Sequence, residues 1–267
     1  MSQPPTASTQ DAPPADASDP AAPSASAAVR IGNVLFHYRN GLFPITFLVL
    51  ALASRPMLFG GTLRSDAVLD AIGLAVALSG QTLRAVVIGL AYIVRGGKDR
   101  RIYAEDLVTT GFFAHSRNPL YVGNMLVYLG LFLMLNSVVG YLVGVPFFLF
   151  AYLCITAAEE DFLRRKFGAV YESYCQQVPR YLPRLRGISE TVRGMRFNWK
   201  RLVRKEYGAA FAWMTTALGL IYWENYRAFG AEDSRGVLAV VLGVWAVLLI
   251  AYLSARFLKK AKRLSSD

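Results

Sequence analysis

Long apolar blocks decide what this chain can fold into. Six stretches, at about 42–59, 67–94, 120–135, 138–158, 208–226 and 236–258, are predominantly apolar, the first with Arg55 near its end and the second with Gln81 and Arg84 near its centre. They lack the period of 3.6 or 2 that marks a half-buried element. A hydrocarbon core of about 30 Å takes about 20 helical residues, close to the length of most of these blocks. The chain is 54% hydrophobic with a mean hydropathy of +0.35, above soluble usage. The expectation is an all-α integral membrane protein with about six transmembrane helices and a cytoplasmic helical segment.

Charge orients that arrangement. The net charge of +11 resides in the connections. Basic residues crowd 95–101, 159–207 and the tail at Lys259, Lys260, Lys262 and Arg263, whereas the other side receives only Arg64, Arg227 and Arg235. Cytoplasmic loops carry the excess of Lys and Arg, so both termini are expected in the cytoplasm of a bacterial inner membrane. The positive charge is topological, no nucleic-acid motif accompanies it, and nucleic acid is not an expected partner. Cys154, Cys175, His37 and His115 do not make up a closed Cys/His zinc set. The thiols are read as free, with no metal. Residues 1–30 are rich in Ala, Pro, Ser and Asp and are expected to be disordered. They lack a basic segment followed by an apolar one, so a secretory signal is not expected there.

Two polar strings interrupt the blocks. The first, LVTTGFFAHSRNPLYVGN, spans 107–124; the second, EEDFLRRKFGAVYESYCQQVPRYLP, spans 159–183. The topology puts both on the cytoplasmic side, where they are expected to face each other and form one site. Pro119 disfavours helix at Asn118, so Arg117-Asn118 reads as a non-helical corner before the third span. Arginine there suits bidentate capture of a carboxylate or phosphate, or simply contact with lipid phosphate. Leu163, Phe167, Val170, Tyr171 and Tyr174 fall on one helical face. Glu159 and Glu160 stand at a membrane boundary, where unpaired burial is costly; they are either site carboxylates or a solvated terminus answered by Arg164 and Arg165. Arg84 and Gln81 sit mid-span, as functional groups or as parts of a structural ion pair. His115 reads as a hydrogen-bonded structural residue before a catalytic one.

Together these residues resemble a known family. An Arg117-Asn118-Pro119-x-Tyr121 corner follows Leu107-Val108-x-x-Gly111-Phe112 and precedes Gly123. After a membrane hairpin come Glu159-Glu160, Phe167-Gly168, Tyr171, Tyr174 and Val178-Pro179-Arg180-x-x-Pro183, with Gly80-x-x-Leu83-Arg84 upstream. This ordered set resembles the isoprenylcysteine carboxyl methyltransferase and phospholipid methyltransferase superfamily. The resemblance implies a membrane-embedded methyltransferase that uses S-adenosyl-L-methionine without a Rossmann domain. No Gly-x-Gly fingerprint follows a predicted strand here. The implied partners are a lipophilic acceptor with a carboxyl, amine or thiol group, and membrane lipid. Carried over, Arg117, Glu160 and Arg84 are the catalytic candidates. His115, Arg117, Asn118, Pro119, Tyr121, Glu159, Glu160, Tyr171 and Tyr174 are the candidates for holding the cofactor. Many members have histidine where this chain has Asn118, so no general base is assigned there. Two other readings stay open: a sterol-reductase-like membrane reductase using NADPH, and a non-catalytic protein keeping the fold.

The expected organisation is a tail (1–30), two spans (31–106), a catalytic core (107–186), and a basic connector with two further spans (187–267). Arg196, Lys200 and Arg204 share one stripe of the connector and Met195, Trp199 and Leu202 another. That suits an amphipathic helix on an anionic leaflet, or a plain connector. No chemistry is expected of the last two spans.

Overall fold

The computed structural model describes residues 26–55, 57, 63–90, 95–98, 101–104, 106–193, 195–261 and 263–264. Six long helices dominate: α1 (Ala27–Ala53), α2 (Leu63–Leu90), α3 (Pro119–Leu135), α4 (Val145–Gln177), α6 (Trp199–Asp233) and α7 (Arg235–Lys260). A short α5 (Ile188–Arg193) and a two-stranded antiparallel hairpin, β1 (Arg95–Lys98) with β2 (Arg101–Ala104), complete them. Four helices are long and apolar enough to cross a membrane: α1, α2, the one containing α4, and α7; α3 is apolar but has 17 residues. The sixth, α6, is 35 residues long and charged at both ends.

Several departures from the sequence reading have local causes. Helix α1 starts at Ala27, fifteen residues before the first apolar block, capped by the Ser26 hydroxyl on the Val29 amide. Residues 27–30 are therefore helical with Ser26 as their cap, and residues 1–25 of the expected disordered tail lie outside the described residues. The fourth block does not end at Ala158, because α4 runs on without a break past Glu159 and Glu160. Pro146, which has no N–H to donate, follows a π-helical turn at Gly140–Gly144 where the ladder shifts. Gly168 bends α4 with φ +52° and ψ −130°, a conformation open to glycine. That bend breaks the expected helical face. Leu163, Tyr171 and Tyr174 are buried, but Val170 is 66% exposed. The basic run at 192–205 is not one amphipathic helix: it is divided among the end of α5, residues 195–198 outside any helix, and the first turns of α6.

Close helix crossings hold the bundle together. At Gly73 and Gly80 of α2, a Cβ would lie 2.7 and 2.5 Å from the carbonyl oxygens of Gly130 and Gly123 of α3. Without a hydrophobic drive between helices in lipid, such small-residue contacts supply the packing. Helix α1 packs chiefly on α4, and α6 on α7, α2 and α3. An aromatic core of Phe36, Phe43, Phe47, Phe132, Phe148 and Tyr152 fills the middle. At the bundle end away from the polar strings, Asn136 caps α3 in the left-handed region. Its amide donates to Asp66 at 3.2 Å, and Ser137 donates to Ser54 at 2.9 Å.

Candidate active site

The two polar strings are stitched together, as the sequence predicts. The Arg117 amide donates to the Pro179 carbonyl (3.0 Å), the Arg184 amide to the His115 carbonyl (2.9 Å), and the Ser116 hydroxyl to the Tyr181 carbonyl (2.8 Å). The Tyr174 hydroxyl donates to the Phe113 carbonyl at 2.6 Å. Gly111, at φ +64°, opens the 3-10 turn Gly111–Ala114 that buries Phe112 and Phe113. The corner then ends where Pro119 starts α3, with Asn118 at φ −132° and ψ 50°, outside the helical region.

Asn118 and Glu160 form the centre of the corner; both are buried. Asn118 Nδ2 donates to Glu160 Oε1 at 3.0 Å and to the Arg180 carbonyl at 3.2 Å. Arg180 Nε lies 3.1 Å from Glu160 Oε2, and Arg117 Nη1 3.6 Å from Oε1. Arg117 Nη1 also donates to Cys175 Sγ. Burial pushes the Arg117 guanidinium down, the Glu160 carboxylate beside it pushes it up together with Cys175 and Tyr171, and the balance is upward. Arg164 and Arg165 do not answer the Glu159–Glu160 pair: Arg165 pairs with Asp161, and Arg164 stands 3.9 Å from Glu172. Two buried polar atoms of the corner, Arg117 Nε and Asn118 Oδ1, have no partner among the described residues.

A cavity of about 540 Å³ opens beside this corner. Arg117, Asn118, Pro119, Tyr121, Glu159 and Arg84 border it at one end, and Phe43, Phe47, Val127, Tyr128 and Leu131 line its body. His115, Glu160, Tyr171 and Tyr174 are not part of its wall. His115 is a brace instead: its Nδ1 donates to the Arg184 carbonyl at 2.7 Å, and Nε2 meets the Thr191 hydroxyl at 2.9 Å. Tyr171 packs with Leu163 and Tyr174 behind Glu160.

Two residues of the cavity wall, Arg39 and Trp213, and Glu206 beside it were not singled out in the sequence. Arg39 of α1 donates to the Tyr121 hydroxyl at 3.4 Å and lies over the Phe36 ring. Glu206 of α6 is 4% exposed and grips Arg84, accepting from Nε at 2.9 Å and from Nη2 at 2.5 Å. Gln81 donates to Glu206 at 3.1 Å and accepts from Trp213 Nε1 at 2.9 Å. Glu206 belongs to the basic connector, which the structure makes the first turns of α6, so the fifth span enters with a buried ion pair at its start. Arg84 makes an ion pair with Glu206, in the last two turns of α2. A usable signal was present: Glu206 lies directly before the fifth apolar block, where an unpaired carboxylate is costly.

Apolar helices of bilayer length around a buried polar corner define a helical membrane protein with an internal site. Residues 71–170, from α2 through the corner to the bend of α4, match the phospholipid methyltransferase family, so the resemblance read from the sequence holds over that stretch. The chain is also similar to the nickel-cobalt-cadmium resistance protein NccN of Alcaligenes xylosoxydans xylosoxydans. The two are 27% identical over 164 residues, 61% of this chain and 73% of that protein. No solved structure matches.

Proposed function

We propose that the chain transfers a methyl group from S-adenosyl-L-methionine to a lipophilic acceptor drawn sideways from the bilayer. The cavity carries this reading: a charged corner and an apolar body meet in one volume, among helices of membrane length. Helices α1 and α6 both border the cavity, and each packs mainly on other helices. The gap between them is the acceptor's route. In this reading both termini face the cytoplasm of a bacterial inner membrane, following the charge of the loops.

The corner fits the cofactor chemically. Arg117 Nε and Asn118 Oδ1 leave one buried donor and one buried acceptor unanswered, and buried polar groups normally have partners. An amino-acid zwitterion with ribose hydroxyls offers both kinds of partner. Arg117 holds its carboxylate, Glu159 accepts from its ammonium or hydroxyls, and the ring of Tyr121 flanks the rest, while Glu160, tied to Asn118, Arg117 and Arg180, fixes the corner from behind the wall with Tyr171 and Tyr174 packed against it. When bound, the cofactor supplies an electrophilic methyl group on a sulfonium. The protein's part is alignment in a dry site, which is worth several kcal/mol in such displacements. Asn118 holds no titratable proton, so it positions Glu160 and does not act as a base.

The test is calorimetry on the detergent-purified protein with S-adenosylhomocysteine and, separately, NADPH. Binding of the former is expected; binding of NADPH alone overturns the reading in favour of a reductase. Methyl-tritiated cofactor, followed into lipid extracts, then shows whether the acceptor group is carboxyl, amine or thiol.

A further inference from the structure

We infer that Glu206 is a positioning residue of the acceptor half of the site, so that α6, outside the family-matched stretch, is a working wall of the cavity. The inference rests on the methyltransferase reading above. Three observations carry it. The Glu206 carboxylate grips Arg84 through both Nε and Nη2, while the third nitrogen, Nη1, donates to Asn124 of α3. Arg84 and Asn124 both border the cavity, so one guanidinium ties α6 and α3 to α2. The same carboxylate accepts from Gln81, which also holds Trp213, a cavity residue about two turns along α6 from Glu206. Finally, between and beyond these two anchors α6 presents Gly208, Ala209, Ala212 and Thr216 to the cavity. These side chains leave room where a larger residue would fill the volume.

The chemistry of the arrangement follows. Arg84 is neutralised by a carboxylate of its own and is not left as an open anion receptor. The guanidinium plane fixes the spacing of α2 and α6, and with it the width of the cavity beside the acceptor's apolar part. The Asn118–Glu160–Arg180 cluster shares no hydrogen bond with Glu206, so the cofactor half is independent of it. A bidentate pair has a demanding geometry that a neutral amide reproduces poorly.

The test compares wild type, Glu206→Gln and the double variant Arg84→Met/Glu206→Met. Replacing a buried ion pair by apolar groups of similar volume often leaves stability intact, whereas breaking one member does not. The double variant therefore separates folding from positioning. Three quantities are read in detergent: the melting temperature, S-adenosylhomocysteine affinity by calorimetry, and kinetics of methyl incorporation into lipid extract from tritiated cofactor. The double variant is expected to keep its melting temperature within a few degrees and its S-adenosylhomocysteine affinity within about threefold. Its kcat/KM for the acceptor is expected to fall at least about tenfold, mostly through KM. Transfer at the wild-type rate by the double variant overturns the inference, as does a parallel loss of S-adenosylhomocysteine affinity. Absence of any transfer by wild type instead overturns the methyltransferase reading. The wall then has its own measure: N-ethylmaleimide labelling of Ala212→Cys in a Cys154→Ala/Cys175→Ala background. Adding Glu206→Gln is expected to speed labelling several-fold, and an unchanged rate sinks the clamp.

Discussion

Asn118→Asp changes one atom of the corner and reverses its hydrogen bonding. The nitrogen that donates to Glu160 Oε1 at 3.0 Å and to the Arg180 carbonyl at 3.2 Å becomes an oxygen. Two carboxylates then stand about 3 Å apart. At an effective dielectric of about 20 their repulsion is about 5 kcal/mol, on top of about 2–4 kcal/mol for the two lost bonds. Protonating a carboxyl of ordinary pKa at pH 7 costs less, about 4 kcal/mol. The variant therefore takes up a proton, and the new carboxyl donates to Glu160 again. Only the bond to the Arg180 carbonyl stays lost, about 1 kcal/mol. The gap to wild type is then about 5 kcal/mol at pH 7 and about 3 kcal/mol at pH 5.5. The sign follows from proton linkage. The folded variant raises this pKa above its unfolded value and binds more protons than the unfolded chain. Its stability recovers as the pH falls toward the unfolded pKa. Thermal unfolding in detergent from pH 5.5 to 8 reads the gap as roughly 10–20 °C at pH 7, narrowing in acid. Asn118→Ala, which cannot titrate, serves as the control with a constant gap. A gap for Asn118→Asp that ignores pH would falsify the placement of Asn118 against Glu160.

Other substitutions probe other contacts. Glu160→Gln keeps an acceptor for the Asn118 amide but leaves Arg117 and Arg180 without their carboxylate; S-adenosylhomocysteine affinity is expected to drop at least about tenfold by calorimetry, since charged hydrogen bonds are worth about 1.5–3 kcal/mol, and unchanged affinity removes this carboxylate from the site. Gly80→Leu drives a side chain into the Gly123 carbonyl and Leu126; a loss above about 2 kcal/mol is expected, typical of overpacking, measured as a lower melting temperature. Gly168→Ala meets no atom within 4 Å yet sits at φ +52°; it is expected to cost about 1–3 kcal/mol through backbone strain alone, and a neutral result denies the bend in α4. His115→Ala removes both braces on 184–191; amide exchange in that segment is expected to speed up well before that of α3.

The long apolar blocks and the corner were legible because local chemistry determines them. Pro119 fixes the start of α3, and Asn136 its left-handed end. The pairing of the two strings was legible from topology, since both fall on the same side of the bundle. The hairpin at 95–104 was not: its strands, RGGK and RIYA, show no alternation to mark them. Nor was the start of α1, because its first turns carry Arg30, His37 and Arg39 and interrupt the apolar run. Glu206 was the larger omission. In sequence it stands after Arg204 and Lys205 and looks like their counter-ion. Only the fold brings Arg84 to it across 122 positions, and no local pattern encodes such a pairing.

The physics of the corner also explains what an asparagine does there. Glu160 already has Arg117 and Arg180 near its two oxygens. A third cation would add another buried charge to desolvate, and an apolar residue would leave the Arg180 carbonyl without its side-chain donor. A neutral amide satisfies both acceptors with one nitrogen and adds no charge. Its oxygen is buried and without a partner among the described residues, in a residue that lines the cavity. An unanswered acceptor in a packed protein is a standing cost of about 1–3 kcal/mol, and a donor from a bound molecule removes it. In the methyltransferase reading proposed above, the bound cofactor completes the corner. Its geometry is set beforehand by bonds that do not titrate, as expected of a residue that positions and does not transfer protons.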